Sequence, residues 1–167
     1  MDLFRAAERL MSMDDEVWAR HANPWSVWTR FTCAPLLVLA IWSRTWIGWW
    51  ALVPVALAIL WTWYNPRAFP VPNRFDTWAG RGTRGERLYL NRRQIGIPAH
   101  HAAAAMALTA LSGGSAVVMI WGLIELHVWA TIAGTAGAMI FKAWFVDRMV
   151  WLYDDIQSGL NLPSPKP

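Results

Sequence analysis

Only one cysteine, Cys33, occurs in the 167 residues, which excludes an internal disulfide and any multi-cysteine metal site. It lies in an apolar stretch and reads as a small core residue, because a reactive thiol needs cations and solvent beside it. Charge is scarce as well. Asp, Glu, Lys and Arg make up 16% of the chain, against roughly 25% in soluble domains. Walker and Rossmann spacings are missing, so nucleotide binding is not indicated. The formal net charge is +4, but the arginines lie beside hydrophobic segments and no nucleic-acid-binding motif appears. Nucleic acid is therefore not an expected partner.

What the chain has in excess is apolar and aromatic: 56% hydrophobic residues and 14 tryptophans. These come in blocks, which points to a bilayer as the solvent. A hydrocarbon core of ~30 Å takes about 20 apolar residues in a helix, and four segments qualify: 25–43, 46–64, 102–124 and 128–146. The expected fold is an all-α integral membrane bundle of four transmembrane helices, paired as two hairpins. Ser43-Arg44-Thr45 and Glu125-Leu126-His127 form the turns. One membrane domain, 1–167, then comprises interfacial helices in 1–24, the spans, a basic loop over 65–99, and a helix end and tail over 147–167.

The first span does not read as a cleaved signal peptide, since acidic residues precede it and a second span follows directly. Pro35 and Pro54 fall inside the first two spans and are expected to bend them. The hairpin turns hold no cation but Arg44, so the positive-inside rule places both termini and the central loop in the cytoplasm, with the chain in the inner membrane. Small residues, Ser112-Gly113-Gly114-Ser115 and the run from Ala133 to Ala138, let helix backbones approach closely in lipid. Packing within the last hairpin is the expected use.

Residues 2–11 place Leu3, Ala7, Leu10 and Met11 on one face, the pattern of an interfacial helix. Ser12 followed by Asp15 and Glu16 starts a second, over Met13 to Ala22. "WARHANPWSVWTR", residues 18–30, sets cations, an amide and an imidazole directly before the greasy run. Asn23-Pro24 is a good cap and first-turn pair, and Trp25 and Trp28 suit an aromatic belt. The loop from Asn65 to Ala99 opens with "NPRAFPVPN", expected to be extended. Gly80, Gly82 and Gly85 then punctuate Arg81, Arg84 and Arg87. Such turns can aim backbone donors at an anion, or the arginines simply grip acidic phospholipids. Glu86 to Arg93 is expected as a short amphipathic helix.

His100 and His101 open the third span. Adjacent helical positions diverge by about 100°, a poor metal pair without help from His21 or from the acids of the last span. That last span ends with Lys142 deepest, then Asp147, Trp151 and Asp154 on one face and Arg148 and Asp155 on the next. Asp147 is expected to pair with a loop arginine, with a proton-transfer role as the other possibility.

"WARHANPWSVWTR", "NPRAFP" and "GERLYLNRR" with the following histidine pair together resemble a family of small, tryptophan-rich prokaryotic membrane proteins catalogued as a domain of unknown function. The resemblance implies an integral membrane protein and carries over no activity, cofactor or catalytic residue. The chain falls short of membrane di-iron desaturases and hydroxylases, because four histidines cannot fill such a site.

The polar residues are expected to converge at the cytoplasmic interface. Arg20, His21, Asn23 and Arg30 would form one wall. Arg84, Arg87, Arg92 and Arg93 come from the loop, and His100, His101, Asp147 and Arg148 from the last two spans. His21, His100 and Asp147 are the catalytic candidates, and no metal is assigned. The expected ligand is an anionic amphiphile: a phospholipid, a prenyl phosphate or a quinone-like head. The rival class is a non-catalytic accessory subunit. Membrane lipids are the expected partners, with a homo-oligomer or a larger membrane complex possible in either case. A transporter fits less well, because no pair of discontinuous helices stands out.

Overall fold

The computed structural model describes Met11 and residues 13–159. The helix expected over residues 2–11 lies outside them apart from Met11, which stands in a turn, and so does Ser12. Among the described residues every regular element is helical.

Helix α1 (Asp15–His21) starts where the Asp14 carboxylate accepts the Val17 N–H at 2.8 Å. Helix α2 (Pro24–Arg30) starts at Asn23, whose side-chain oxygen accepts the Trp25 N–H at 3.0 Å. The same amide donates to the Pro70 carbonyl at 3.0 Å, so one residue caps a helix and ties down a distant loop. Then follow α3 (Cys33–Trp42), α4 (Arg44–Ile47), a 3-10 turn (Gly48–Ala51) and α5 (Leu52–Ala68). After a loop come α6 (Trp78–Leu90), α7 (Arg92–Ile95), α8 (Ala99–Ile124) and α9 (Val128–Gln157).

Four discrete membrane-spanning helices in two hairpins do not form. Three helical stretches are long and apolar enough to cross a membrane: Pro24–Ala68 with 45 residues, Ala99–Ile124 with 26 and Val128–Gln157 with 30. The expected span 25–43 breaks at Phe31 and Thr32, whose N–H groups reach back only three residues. This leaves α3 with 10 residues, about 15 Å of helix against a ~30 Å core. The expected span 46–64 is interrupted at Gly48, where φ is 56°, a conformation open to glycine. Hydropathy counts apolar residues and is blind to such breaks. Within the 45-residue stretch, α3 folds back against α5.

The pairing of α8 with α9 matches expectation. Their turn is Glu125–His127, with Leu126 at φ 55° and the His127 Nδ1 accepting the Ala130 N–H at 3.2 Å. Arg44 donates to the Leu123 carbonyl, and to that of Ile124 at 3.4 Å. The turn after α3 is thereby pinned to the last carbonyls of α8. A β-carbon on Gly137 would stand 2.7 Å from the Ser115 hydroxyl, and one on Gly134 would collide with the Met119 backbone. Gly113 and Gly114 face open space instead, so in this run the serines, Ser112 and Ser115, meet α9. Only 6%, 11% and 17% of the apolar windows of the three stretches are buried inside the protein. Trp46, Trp49, Trp50 and Trp129 are among the most exposed side chains. This is a membrane-associated, multi-pass helical protein, its apolar exterior left for lipid to cover.

Further expectations fail for physical reasons. Pro35 and Pro54 do not break helix interiors: each stands in a first turn, where its missing donor is not needed. The interior proline is Pro66, because α5 runs on through Asn65-Pro66 to Ala68, and the extended segment begins only at Phe69. The glycine-arginine loop is also helical. It forms most of the 13-residue α6, with Thr77 capping the Gly80 N–H at 3.1 Å, and no helix spans Glu86 to Arg93 as a unit. Packing decides this: a β-carbon on Gly85 would strike the Met149 carbonyl, and one on Gly82 would lie 2.7 Å from Val146 Cγ1. The glycines let α6 lie against α9. The resulting core holds Tyr89, Leu108, Phe145, Met149 and Leu152, with the Tyr89 and Phe145 rings edge-on at 5.9 Å.

Candidate functional site

The cation-rich motif ahead of the first stretch folds inward. His21 and Ser26 are both buried, and Pro24 opens α2 so that Ser26 and Thr29 fall on its inner side. His21 Nδ1 lies 3.0 Å from Ser26 Oγ, which donates to Asn65 Oδ1 at 3.4 Å. Asn65 Nδ2 donates to Thr29 Oγ1 at 2.7 Å, and that hydroxyl donates to the Trp25 carbonyl at 2.6 Å. Asn65 is fully buried. Its amide thus replaces water for two hydroxyls, those of Ser26 and Thr29.

Beside this chain of bonds is a cavity of about 590 Å³. Its walls are largely apolar: Met11, Met13, Trp18, Val27, Phe31, Cys33, Ala34, Leu37, Leu90 and Val146. Cys33 is buried, as its surroundings in the sequence imply. His21, Arg30, Glu86 and Lys142 are the ionisable groups in the lining, with Thr62 and Thr83 beside them. Lys142 Nζ stands 3.0 Å from Glu86 Oε1 and 4.6 Å from the Phe145 ring centroid. Arg30 Nη1 is buried with no hydrogen-bond partner. Leaving such a donor unmet costs about 1–3 kcal/mol, and more for a charged group.

Two cations therefore face one carboxylate. Burial, then the Arg30 guanidinium, then Lys142 push the His21 imidazole down to about 3, with Glu86 opposing. His21 is neutral at physiological pH. Glu86 is half-buried, which favours its protonated form, but the charge and hydrogen bond of Lys142, with the Arg30 guanidinium, outweigh that and hold its carboxyl below the usual range. The cavity is positive at its polar end and greasy elsewhere.

A second polar cluster lies between the start of α8 and the end of α9. His101 is almost completely buried, and its Nε2 is 2.8 Å from Asp155 Oδ2. The His100 and His101 rings are 4.2 Å apart. One nitrogen of each ring and a carboxylate oxygen of Asp155 all lie within 4.8 Å of one another. Asp155 is the help from the last span that a histidine pair needs. His101 Nδ1 is buried without a hydrogen-bond partner.

The remaining expected site residues are not gathered into one pocket. Arg20 pairs with Glu16 at 2.7 Å, and Asn23 is a cap. Arg84 lies over the Phe75 ring at 4.2 Å and donates to the Tyr153 hydroxyl at 3.1 Å. Arg87 pairs with Asp15, Arg92 stacks on Tyr89 at 4.5 Å, and Arg93 is exposed. Asp147 accepts the Trp78 indole N–H at 3.0 Å, where an arginine was expected. The arginine of this face, Arg81, reaches Asp154 at 2.8 Å instead, and Arg148 lies over Trp151 at 5.1 Å. Glu86, Lys142, Ser26, Asn65 and Asp155 were not among the expected site residues. Lys142 carried a signal as an ionisable residue inside an apolar run, and Asp155 as one of the acids that end the last span.

A family model described as a family of unknown function, DUF6653, matches residues 5–165. The chain belongs to that family. No curated protein and no solved structure matches it. The tryptophan-rich, membrane-associated character inferred from the three motifs agrees with this membership.

Proposed function

We propose that the cavity binds an anionic amphiphile, its head at Arg30, Lys142 and His21 and its hydrocarbon along Phe31, Ala34, Leu37 and Val146. The observation that carries this is Arg30 Nη1, a buried charged donor without a partner at the end of an apolar cavity. A phosphate or carboxylate would satisfy it, and the volume lies in the ~300–1,000 Å³ range of small-molecule sites. Neutral His21, held by Ser26, stands beside the head as a hydrogen-bonding group. Cations support a cytoplasmic placement of this end in the inner membrane. Among the described residues the opposite end, where Arg44 meets the last turn of α8, holds no other Lys or Arg.

Purification in mild detergent followed by mass spectrometry of the extracted lipid tests the proposal. An anionic amphiphile retained through washing by the parent, and lost from Arg30→Gln, is the expected result. Retention of none, with a partner protein copurifying in fixed ratio, would instead identify an accessory subunit.

A further inference from the structure

A second site, independent of the cavity, lies where α8 begins. We infer that His100, His101 and Asp155 bind a divalent transition-metal ion of the zinc type. One nitrogen from each ring and one carboxylate oxygen lie within 4.8 Å of one another; ligands about 2.0–2.2 Å from a tetrahedral ion stand about 3.4 Å apart, so small side-chain rotations close the set. Adjacent helical residues ordinarily diverge. Here both stand in the first turn of α8, where no preceding turn restricts their rotamers, and the rings converge to 4.2 Å.

The donor set is selective in kind. Two imidazoles with one carboxylate suit zinc and its neighbours, whereas magnesium and calcium favour all-oxygen shells. His101 supplies an independent observation. It is 1% exposed, and its contact with Asp155 engages one ring nitrogen while Nδ1 has no partner. Its buried Nε2 is aimed at the Asp155 carboxylate, the position from which both atoms can ligate one ion. His100 is exposed, and the Asp155 side chain is 39% exposed. Ions can therefore enter from solvent, and water can complete the coordination, leaving an open position as catalytic zinc sites do. A bound ion would also fasten the first turn of α8 to the last turns of α9.

The test uses the full chain purified in detergent with a tag free of histidine, stripped by chelator and titrated with Zn²⁺. The expected result is about one ion per chain by elemental analysis. His100→Ala and Asp155→Ala should each weaken binding by on the order of 10- to 100-fold or more, while Asp76→Asn, an exposed acid elsewhere, keeps it. Both ligand variants leave the buried His101 in place, and because Asp155→Ala removes its hydrogen-bond partner, the folding of each variant is checked by size exclusion. Co²⁺ in place of zinc should give ligand-field absorption that changes in His100→Ala. No zinc above the buffer level in the parent, or unchanged affinity in both ligand variants, overturns the site.

Discussion

Ser26 Oγ stands 3.0 Å from His21 Nδ1 and 3.4 Å from Asn65 Oδ1, joining α1 to α5 through a side chain of α2. All three residues are buried. Ser26→Ala removes the shared hydroxyl and leaves a ring nitrogen and an amide oxygen unmet. The expected loss is about 1–3 kcal/mol, read as a lower midpoint of thermal unfolding in detergent. A variant as stable as the parent would show that water reaches these groups.

The same histidine sets an acid sensitivity. His21 is lowered to about 3 in the folded chain by burial, Arg30 and Lys142, against ~6.5 unfolded. Between those values the unfolded state binds the proton and the folded state does not, so stability falls as pH drops from about 6.5 toward 3. At pH 4 the cost is about 3 kcal/mol. Unfolding curves of the parent and His21→Gln at pH 7 and pH 4 isolate it: the parent should lose more. Equal losses would mean that His21 is protonated in the folded state.

Close approach of α6 to α9 is tested by a pair of glycines. Gly85→Ala places a carbon against the Met149 carbonyl and should destabilise by about 1–3 kcal/mol or more through overpacking. Gly113 has nothing within 4 Å of the added carbon, so Gly113→Ala should be neutral or stabilising by up to about 1 kcal/mol. Similar behaviour of the two variants in thermal unfolding would refute the packing account.

The helical class and the membrane setting were legible because they depend on composition and run length. Asn23 as a cap was legible too, since its effect is local. Span count was not: the breaks at Phe31, Thr32 and Gly48 cost no hydropathy. The α6 glycines read as turn signals because intrinsic propensity disfavours glycine in a helix, and tertiary contact with Met149 and Val146 outweighs that preference. His21 and Arg30 were found through the motif they share. Glu86 and Lys142 are 56 residues apart and meet only because α6 packs on α9. His101 and Asp155 depend in the same way on the pairing of α8 with α9.

Arg30, proposed to hold the anionic head, gives the most direct measurement. Delipidated protein in detergent can be titrated with an anionic and a zwitterionic phospholipid of identical tails and read by native mass spectrometry. The parent should bind the anionic lipid about tenfold more tightly, a difference of ~1.4 kcal/mol, and Arg30→Gln should abolish that preference while remaining folded. Equal affinities in the parent, or an undiminished preference in Arg30→Gln, would contradict the account.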